Sequence, residues 1–412
     1  SIFTSRLVNT YGPLVSSNNV QYHWRAVLNG TNDVIFAGDV TLDDATRTAM
    51  IFESSETGTV FGFRGNLTSV SGAACGLAKQ GQGILEWFVT NQTATFTNIV
   101  TISGGALRTI EGIGISTNSP LCFNGGVLES RGAFTRTLGS NQTQAYFLAG
   151  GGFSAYGGTL TVNLKGDGST LVWGKTNFTT RELQFNSARA DGETVFVNGI
   201  DLGTATRTNM VFDNPNYADD KATITGVISS ASSSGVLVKD GPGVLSLAGI
   251  NTYAGPTLVA SGTLLVDGEL NEDGGTVTFR TNTWLGGRGS IRRNLVLDQG
   301  FSGFDWAGTP GTLTIHTNVS LPANFIFNYK RSGSSVPLVL VTGVLAISNG
   351  VTVNVNGDTR SPLVLFTGGT LTNIANIASW TVTNSAQHYT ARIQDNSVVA
   401  SAEGGGNVFT WY

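Results

Sequence analysis

The sequence predicts an all-β solenoid, a chain coiled into stacked parallel turns, and three observations lead to it. Composition is the first. Glycine fills 55 of 412 positions, charged residues 12 % and hydrophobic residues 40 %, which is about twice the ordinary glycine usage and about half the ordinary charge. Texture is the second. Apolar residues come in twos and threes broken by Gly, Asn or Thr, as in Val34-Ile35-Phe36 and Val40-Thr41-Leu42, the pattern of many short strands joined by tight turns. The third is an internal repeat. Ala45-Thr46-Arg47-Thr48 recurs as Ala205-Thr206-Arg207-Thr208, and the only two methionines, Met50 and Met210, hold the same place at the same offset. Phe36, Leu42 and Phe52 match Phe196, Leu202 and Phe212, and Leu77, Lys79, Gly81, Gly83 and Leu85 match Leu237, Lys239, Gly241, Gly243 and Leu245. Duplication of a long unit is the mark of a quasi-one-dimensional stack.

Short strands bury little apolar area singly, but stacked in register each pairs above and below at about 4.8 Å. Inward Val, Leu, Ile and Phe then pile on their equivalents, while Gly and Asn serve corners that need a left-handed backbone. At roughly 20–25 residues per turn the chain makes about 16–20 turns. No window shows sustained helical periodicity, and Gly or Asn recurs too often for a helix to propagate. A pair of β-sandwiches is the competing architecture; it asks for longer strands with turns at wider spacing.

Along the chain, residues 1–30 read as an N-terminal cap or first strand, with Tyr22, His23 and Trp24 clustered before Val27-Leu28. Residues 31–268 read as the β-solenoid that carries the duplication; within it Leu160-Thr161-Val162-Asn163-Leu164 alternates as a strand. Residues 269–412 form a C-terminal β block or cap whose texture admits a more irregular or sandwich-like arrangement, and they end on Phe409-Thr410-Trp411-Tyr412.

A net charge of −4 gives no basic footprint for nucleic acid, and no apolar run approaches the length of a membrane span, so neither nucleic-acid binding nor membrane insertion is expected. The chain starts at Ser1 without a charged-then-apolar leader, the form expected either after a signal peptide has been removed or where the start was read from a purified polymer. Cys75 and Cys122 are the only cysteines. Two turns of a solenoid would cover the stretch between them, so a bridge is open, but two buried thiols are the expectation.

The stretch Leu237-Val238-Lys239-Asp240-Gly241-Pro242-Gly243-Val244-Leu245-Ser246-Leu247-Ala248-Gly249-Ile250-Asn251-Thr252-Tyr253-Ala254-Gly255, continuing to Thr257, Val259 and Gly262-Thr263-Leu264, closely resembles the autotransporter-associated β-strand repeat, also called the passenger-associated transport repeat. The first copy keeps Leu77, Lys79, Gly81, Gly83 and Leu85 but has Trp87-Phe88 and Asn91-Gln92-Thr93 where the Asn-Thr-Tyr turn belongs. The resemblance implies a right-handed parallel β-helix, export to the bacterial cell surface and, often, no enzymatic activity. It does not imply a translocator: nothing here reads as the alternating strands of a membrane barrel.

Candidate chemistry is sparse. His23, His316 and His388 are scattered, no His-x-x-x-His or Cys-x-x-Cys pair exists, and zinc is not expected. No Gly-x-Ser-x-Gly elbow marks a nucleophile. Carboxylates cluster at Asp43-Asp44, at Asp213 with Asp219-Asp220, and at Glu269 with Glu272-Asp273. The segment Asp213-Asn214-Pro215-Asn216-Tyr217-Ala218-Asp219-Asp220 has the oxygen density of a calcium loop, though it reads more readily as a solvated turn. Arg47 and Arg207 suggest a structural partner, a carboxylate or corner carbonyls; Lys79 and Lys239 read as extending outward from corners.

No catalytic, cofactor or metal residue is assigned. The function expected is a non-enzymatic extracellular building block. Aromatic clusters at the two chain ends (Tyr22 and Trp24; Phe409, Trp411 and Tyr412) point to head-to-tail self-association. The alternatives are a carbohydrate-active β-helix enzyme using groove carboxylates, and an adhesin binding surface glycans through lateral aromatics.

Overall fold

The computed structural model describes residues 24–28, 33–36, 40–42, 49–54, 56–64, 67–69, 76–87, 98–179, 181–230, 232–308, 311–329, 339–355, 362–383 and 388–402. These form short strands and one 3-10 helix, Ile374–Ser379. Almost every strand pairs in parallel with its equivalent one turn away. The fold is the parallel β-solenoid expected from composition, texture and repeat. Two compact units make it up: Ser1–Ile200 with Thr208–Ala222, and Asp201–Arg207 with Thr223–Tyr412.

In the first unit one sheet stacks Val60–Phe63, Ile84–Trp87, Ala106–Thr109, Val127–Phe134 and Gly151–Val162. The register runs Val60 to Ile84 to Ala106 to Val127 to Gly152. A second sheet stacks Trp24–Leu28, Ala49–Ser54, Gly76–Gln80, Val100–Ser103, Leu121–Phe123 and Gln144–Phe147. Aromatic rings pile up between the sheets: Phe63 stacks on Trp87 at 4.6 Å and Phe123 on Phe147 at 4.6 Å.

In the second unit the inward column is nearly pure hydrocarbon. Leu245, Leu264, Leu285, Phe304, Phe327 and Val353 follow one another in register, and all are fully buried. Each covers the next, which is how such short strands become stable. Parallel coiling continues through Thr381–Thr383. Only the last described strands depart: Leu363–Thr372 pairs antiparallel with Ser397–Ala402, and that strand with Tyr389–Gln394.

Turn length varies more than an even coil would allow. Val277 pairs with Leu295 across a short turn, whereas Leu160 pairs with Thr194, nearly twice as far along the chain. Among the described residues the coil makes about 12 turns, fewer than the sequence suggested.

Strands fall at matching positions in the two halves of the sequence repeat: Val34–Phe36 with Thr194–Phe196, Gly76–Gln80 with Leu237–Asp240, Ile84–Trp87 with Val244–Leu247. One pair diverges. Phe52 is fully buried, but Phe212 is 39 % exposed, because the strand Ala49–Ser54 runs through its phenylalanine while Arg207–Val211 stops just short of its own.

Candidate functional site

The repeat segment builds its own corner chemistry. Along Leu237–Asp240 burial alternates, placing Leu237 and Lys239 inside. Lys239 Nζ donates to the carbonyls of Asp240 at 3.2 Å, Gly241 at 2.6 Å and Ser261 at 2.9 Å. Lys79 does the same to Gln80 at 2.7 Å, Gly81 at 2.8 Å and Gly104 at 3.1 Å. The expectation that these lysines extend outward is therefore corrected. Tight glycine corners leave several carbonyls without backbone donors, and an ammonium carries three N–H groups to meet them. Burial pushes Lys79 down to about 7, with the Glu53 carboxylate opposing. Glycine is required beside the ammonium: Gly262 has φ +69, and a Cβ there would run into Gly241 O and meet Lys239 Nζ at 2.7 Å.

The Asn-Thr-Tyr turn is equally closed. Asn251 is buried; its Oδ1 accepts from Ile228 N at 3.0 Å and its Nδ2 donates to Gly249 O at 2.8 Å. Tyr253 is buried with its hydroxyl 2.6 Å from Thr257 Oγ1. Arg293, buried in a later turn, lies 4.2 Å over the Tyr253 ring and donates to Asn271 O at 2.8 Å and Tyr253 O at 2.8 Å.

The first unit holds a charged column that sequence reading missed. Glu86, Arg108, Glu129 and Ser154 occupy successive turns in register. Arg108 Nη1 meets Glu86 Oε2 at 3.0 Å, and its Nε donates to Glu129. Arg64 closes one end on Glu86; Ser154 Oγ at 3.0 Å and Ser187 Oγ donate to Glu129. The Arg108 guanidinium lies 3.4 Å over the Tyr156 ring. Burial is the largest single influence on Arg108 and pulls it down, but the charge and hydrogen bond of Glu129, with Tyr156 and Glu86, together outweigh it and the group is raised. Glu129 is 0 % exposed and Arg108 2 %, so this column is a buried salt-bridge ladder that holds turns together. Its signal in the sequence was the spacing of one turn between Glu86, Arg108 and Glu129.

The expected carboxylate clusters, where described, are engaged by groups of the fold itself. Asp43 and Asp44 lie outside the described residues. Glu269 pairs with Arg292 at 3.2 Å, and Asp273 accepts from Asn271 Nδ2 at 3.3 Å. In the loop after Arg207–Val211, Asp220 is buried and its Oδ2 accepts from Asn214 N at 2.7 Å. Burial raises its pKa to about 6, with Asp213 and Asp219 adding to the rise. The carboxylate thus serves its own loop, the turn reading rather than the calcium one. No group of three His, Cys, Asp or Glu gathers as a metal site among the described residues.

The remaining candidates scatter. His316 is half-buried and His388 exposed; His23 lies outside the described residues. Arg207 Nε donates to the carbonyl of Leu202 at 3.0 Å, the corner partner expected; Arg47 lies outside the described residues. Cys122 is a free, buried thiol, pushed up by burial, and Cys75 lies outside the described residues. So do Tyr22, Phe409, Trp411, Tyr412 and the Trp24 side chain.

Comparison with known proteins accords with this geometry. Residues 237–266 match the passenger-associated-transport-repeat family model, and they are the turn whose corner Lys239, Asn251 and Tyr253 close. No curated protein and no solved structure matches the chain. The chain is thus an all-β parallel solenoid, one turn of which matches the passenger-associated transport repeat. No helix among the described residues is long and apolar enough to cross a membrane.

Proposed function

We propose that this chain is a rigid, non-enzymatic segment of a secreted or surface-displayed bacterial protein, a solenoid whose work is mechanical. One observation carries the reading. The side chains that define the repeat, Leu237, Lys239, Leu245, Leu247, Asn251, Tyr253, Val259, Leu264 and Val266, are all buried. Their polar atoms bond within the coil. A motif spent on the interior specifies a fold, whereas a catalytic motif keeps reactive groups within reach of substrate. The test is incubation with a panel of acidic and neutral polysaccharides, followed by assay for new reducing ends and unsaturated uronates. Steady release of either overturns the reading; none is expected.

Stacking of copies end to end is the finer form of this proposal. It is supported by the aromatic residues near both ends of the sequence, Tyr22 and Trp24, and Phe409, Trp411 and Tyr412, which end-to-end contact would bury. Rods that lengthen with concentration under negative stain are expected. A species that stays monomeric by light scattering at every concentration removes it.

A further inference from the structure

One sheet of the second unit carries two outward lanes of different chemistry. The strands that build them are Thr283–Gly286, Gly303–Phe304, Ile326–Asn328, Thr352–Asn354 and Thr381–Thr383. Leu285, Phe304, Phe327 and Val353 point inward and are fully buried, so the residues on either side of them face outward. Register carries the first lane from Trp284 through Gly303, Ile326 and Thr352 to Thr381. The second lane is Asp305, Asn328, Asn354 and Thr383. Register joins the last three, and Asn328 Nδ2 donates to Asp305 Oδ2 at 2.9 Å.

The first lane is the apolar one. Trp284 is half-buried and has no ring or hydrogen-bond partner among the described residues. Trp173, Trp306 and Trp380, by contrast, are buried and donate to the carbonyls of Arg181 at 2.9 Å, Gly287 at 2.6 Å and Ser348 at 2.7 Å. Ile326 is 38 % exposed, and Gly303 puts no side chain between it and the indole. The second lane is polar and fixed. Asn354 Nδ2 donates to Asn328 Oδ1 at 3.4 Å, and Asp305 Oδ1 accepts from Ala307 N at 2.8 Å. Each ladder bond uses one N–H of an amide that has two, so the row still offers both donors and acceptors. Holding them in place beforehand lowers the entropy lost on binding.

This pairing of lanes selects the ligand. Acceptors alone would suit a cation and donors alone an anion, whereas groups that do both match hydroxyls. Asp305 is the single charge in the two lanes. A peptide cannot add here as a strand, because Gly303–Phe304, Ile326–Asn328 and Thr352–Asn354 are each paired on both sides, and strand addition needs an open edge. From Trp284 to Thr381 the lane takes four steps of about 4.8 Å, about 19 Å in all, room for several linked rings. We propose that this face binds a neutral oligosaccharide laid across the successive strands, with the C–H face of one sugar ring on Trp284 and hydroxyls on Asp305, Asn328 and Asn354.

Isothermal titration of the whole chain with cellohexaose, laminarihexaose and maltohexaose tests this. Saturable, salt-insensitive binding of at least one is expected, without new reducing ends. Trp284→Ala should weaken it by about tenfold or more and Trp284→Phe by less, since a ring remains. Asn328→Ala should weaken it by about threefold to tenfold. Val296→Ala, which trims an exposed side chain on a strand outside the two lanes, should leave it unaltered. Melting curves check that each variant is folded, and Trp284→Phe with Asn328→Ala carries the test if Trp284→Ala does not fold. Three results overturn the proposal: no saturable binding of any of the three; undiminished binding in the folded Trp284 and Asn328 variants; or salt-sensitive binding of hexagalacturonate in place of the neutral sugars, which marks recognition of charge.

Discussion

Lys79 and Lys239 show how a single side chain substitutes for missing backbone donors. Replacing Lys239 with Met keeps the aliphatic stem and strands the carbonyls of Asp240, Gly241 and Ser261; a loss of about 1–3 kcal/mol is expected, read as a lower melting temperature. Lys79 adds a pH signature. Its pKa falls from 10.5 to about 7 on folding, so between those values the unfolded chain binds more protons and stability rises with pH. The burial cost is fully present below about 7 and gone above the unfolded value. Wild-type melting temperature should therefore climb from pH 7 to 10, with a shallower slope in Lys79→Met. Asp220 has the opposite sign. Its folded pKa is raised from 3.8 to about 6, so its contribution is whole below the unfolded value and fades as pH rises through the folded one. Asp220→Asn keeps an acceptor for the Asn214 amide and should raise the melting temperature at pH 7 more than at pH 4. Asn209 is a different case: fully buried, opposite Leu183, with neither side-chain polar atom bonded. Asn209→Leu should stabilise by about 1–2 kcal/mol.

At the scale of strand and corner, what was legible depended on whether a residue's role is local. Leu237, Gly241, Asn251 and Tyr253 act within one turn or against the next, at spacings a motif preserves, so the repeat they form could be recognised directly. Lys239 was readable in part: alternation puts it on the face of Leu237, but its charge argues for solvent, and only the unpaired corner carbonyls decide between them. The ladder Glu86, Arg108, Glu129 was hard to read because turns differ in length along the chain. Its near-even spacing carries meaning only once the length of those particular turns is known. The segment 213–220 admitted a calcium loop beside the favoured solvated turn because its oxygens are dense in sequence; what the sequence did not show is that Asp220 is buried on the Asn214 amide and that Asn214 reaches the carbonyl of Ala190. The corner glycines give a sharp test. Gly262→Ala forces φ +69 on an alanine and presses its Cβ against two carbonyls. It should cost more than Leu264→Ala, which removes apolar contact alone at about 2–5 kcal/mol.

Over the whole molecule, stability is a sum of turns and of interfaces between neighbouring turns. Damage should therefore stay local. In Leu264→Ala, hydrogen exchange should accelerate in the strands Val244–Leu247 and Thr283–Gly286, which carry its register partners Leu245 and Leu285. Protection in Ile84–Trp87 should be unchanged. Uniform acceleration throughout would mean that the molecule opens as one cooperative block.

The unequal turns have a practical corollary. Strands align correctly across the short connection from Val277 to Leu295 and across the long one from Leu160 to Thr194. Register is therefore dictated by the ladders and corners, and the amount of connecting chain is free. The exposed corner 165–167 in that longer turn, between the buried Leu164 and the strand Leu171–Val172, is a natural site for grafting: a foreign epitope or small domain inserted there would be carried on the scaffold while the strands on either side keep their ladders.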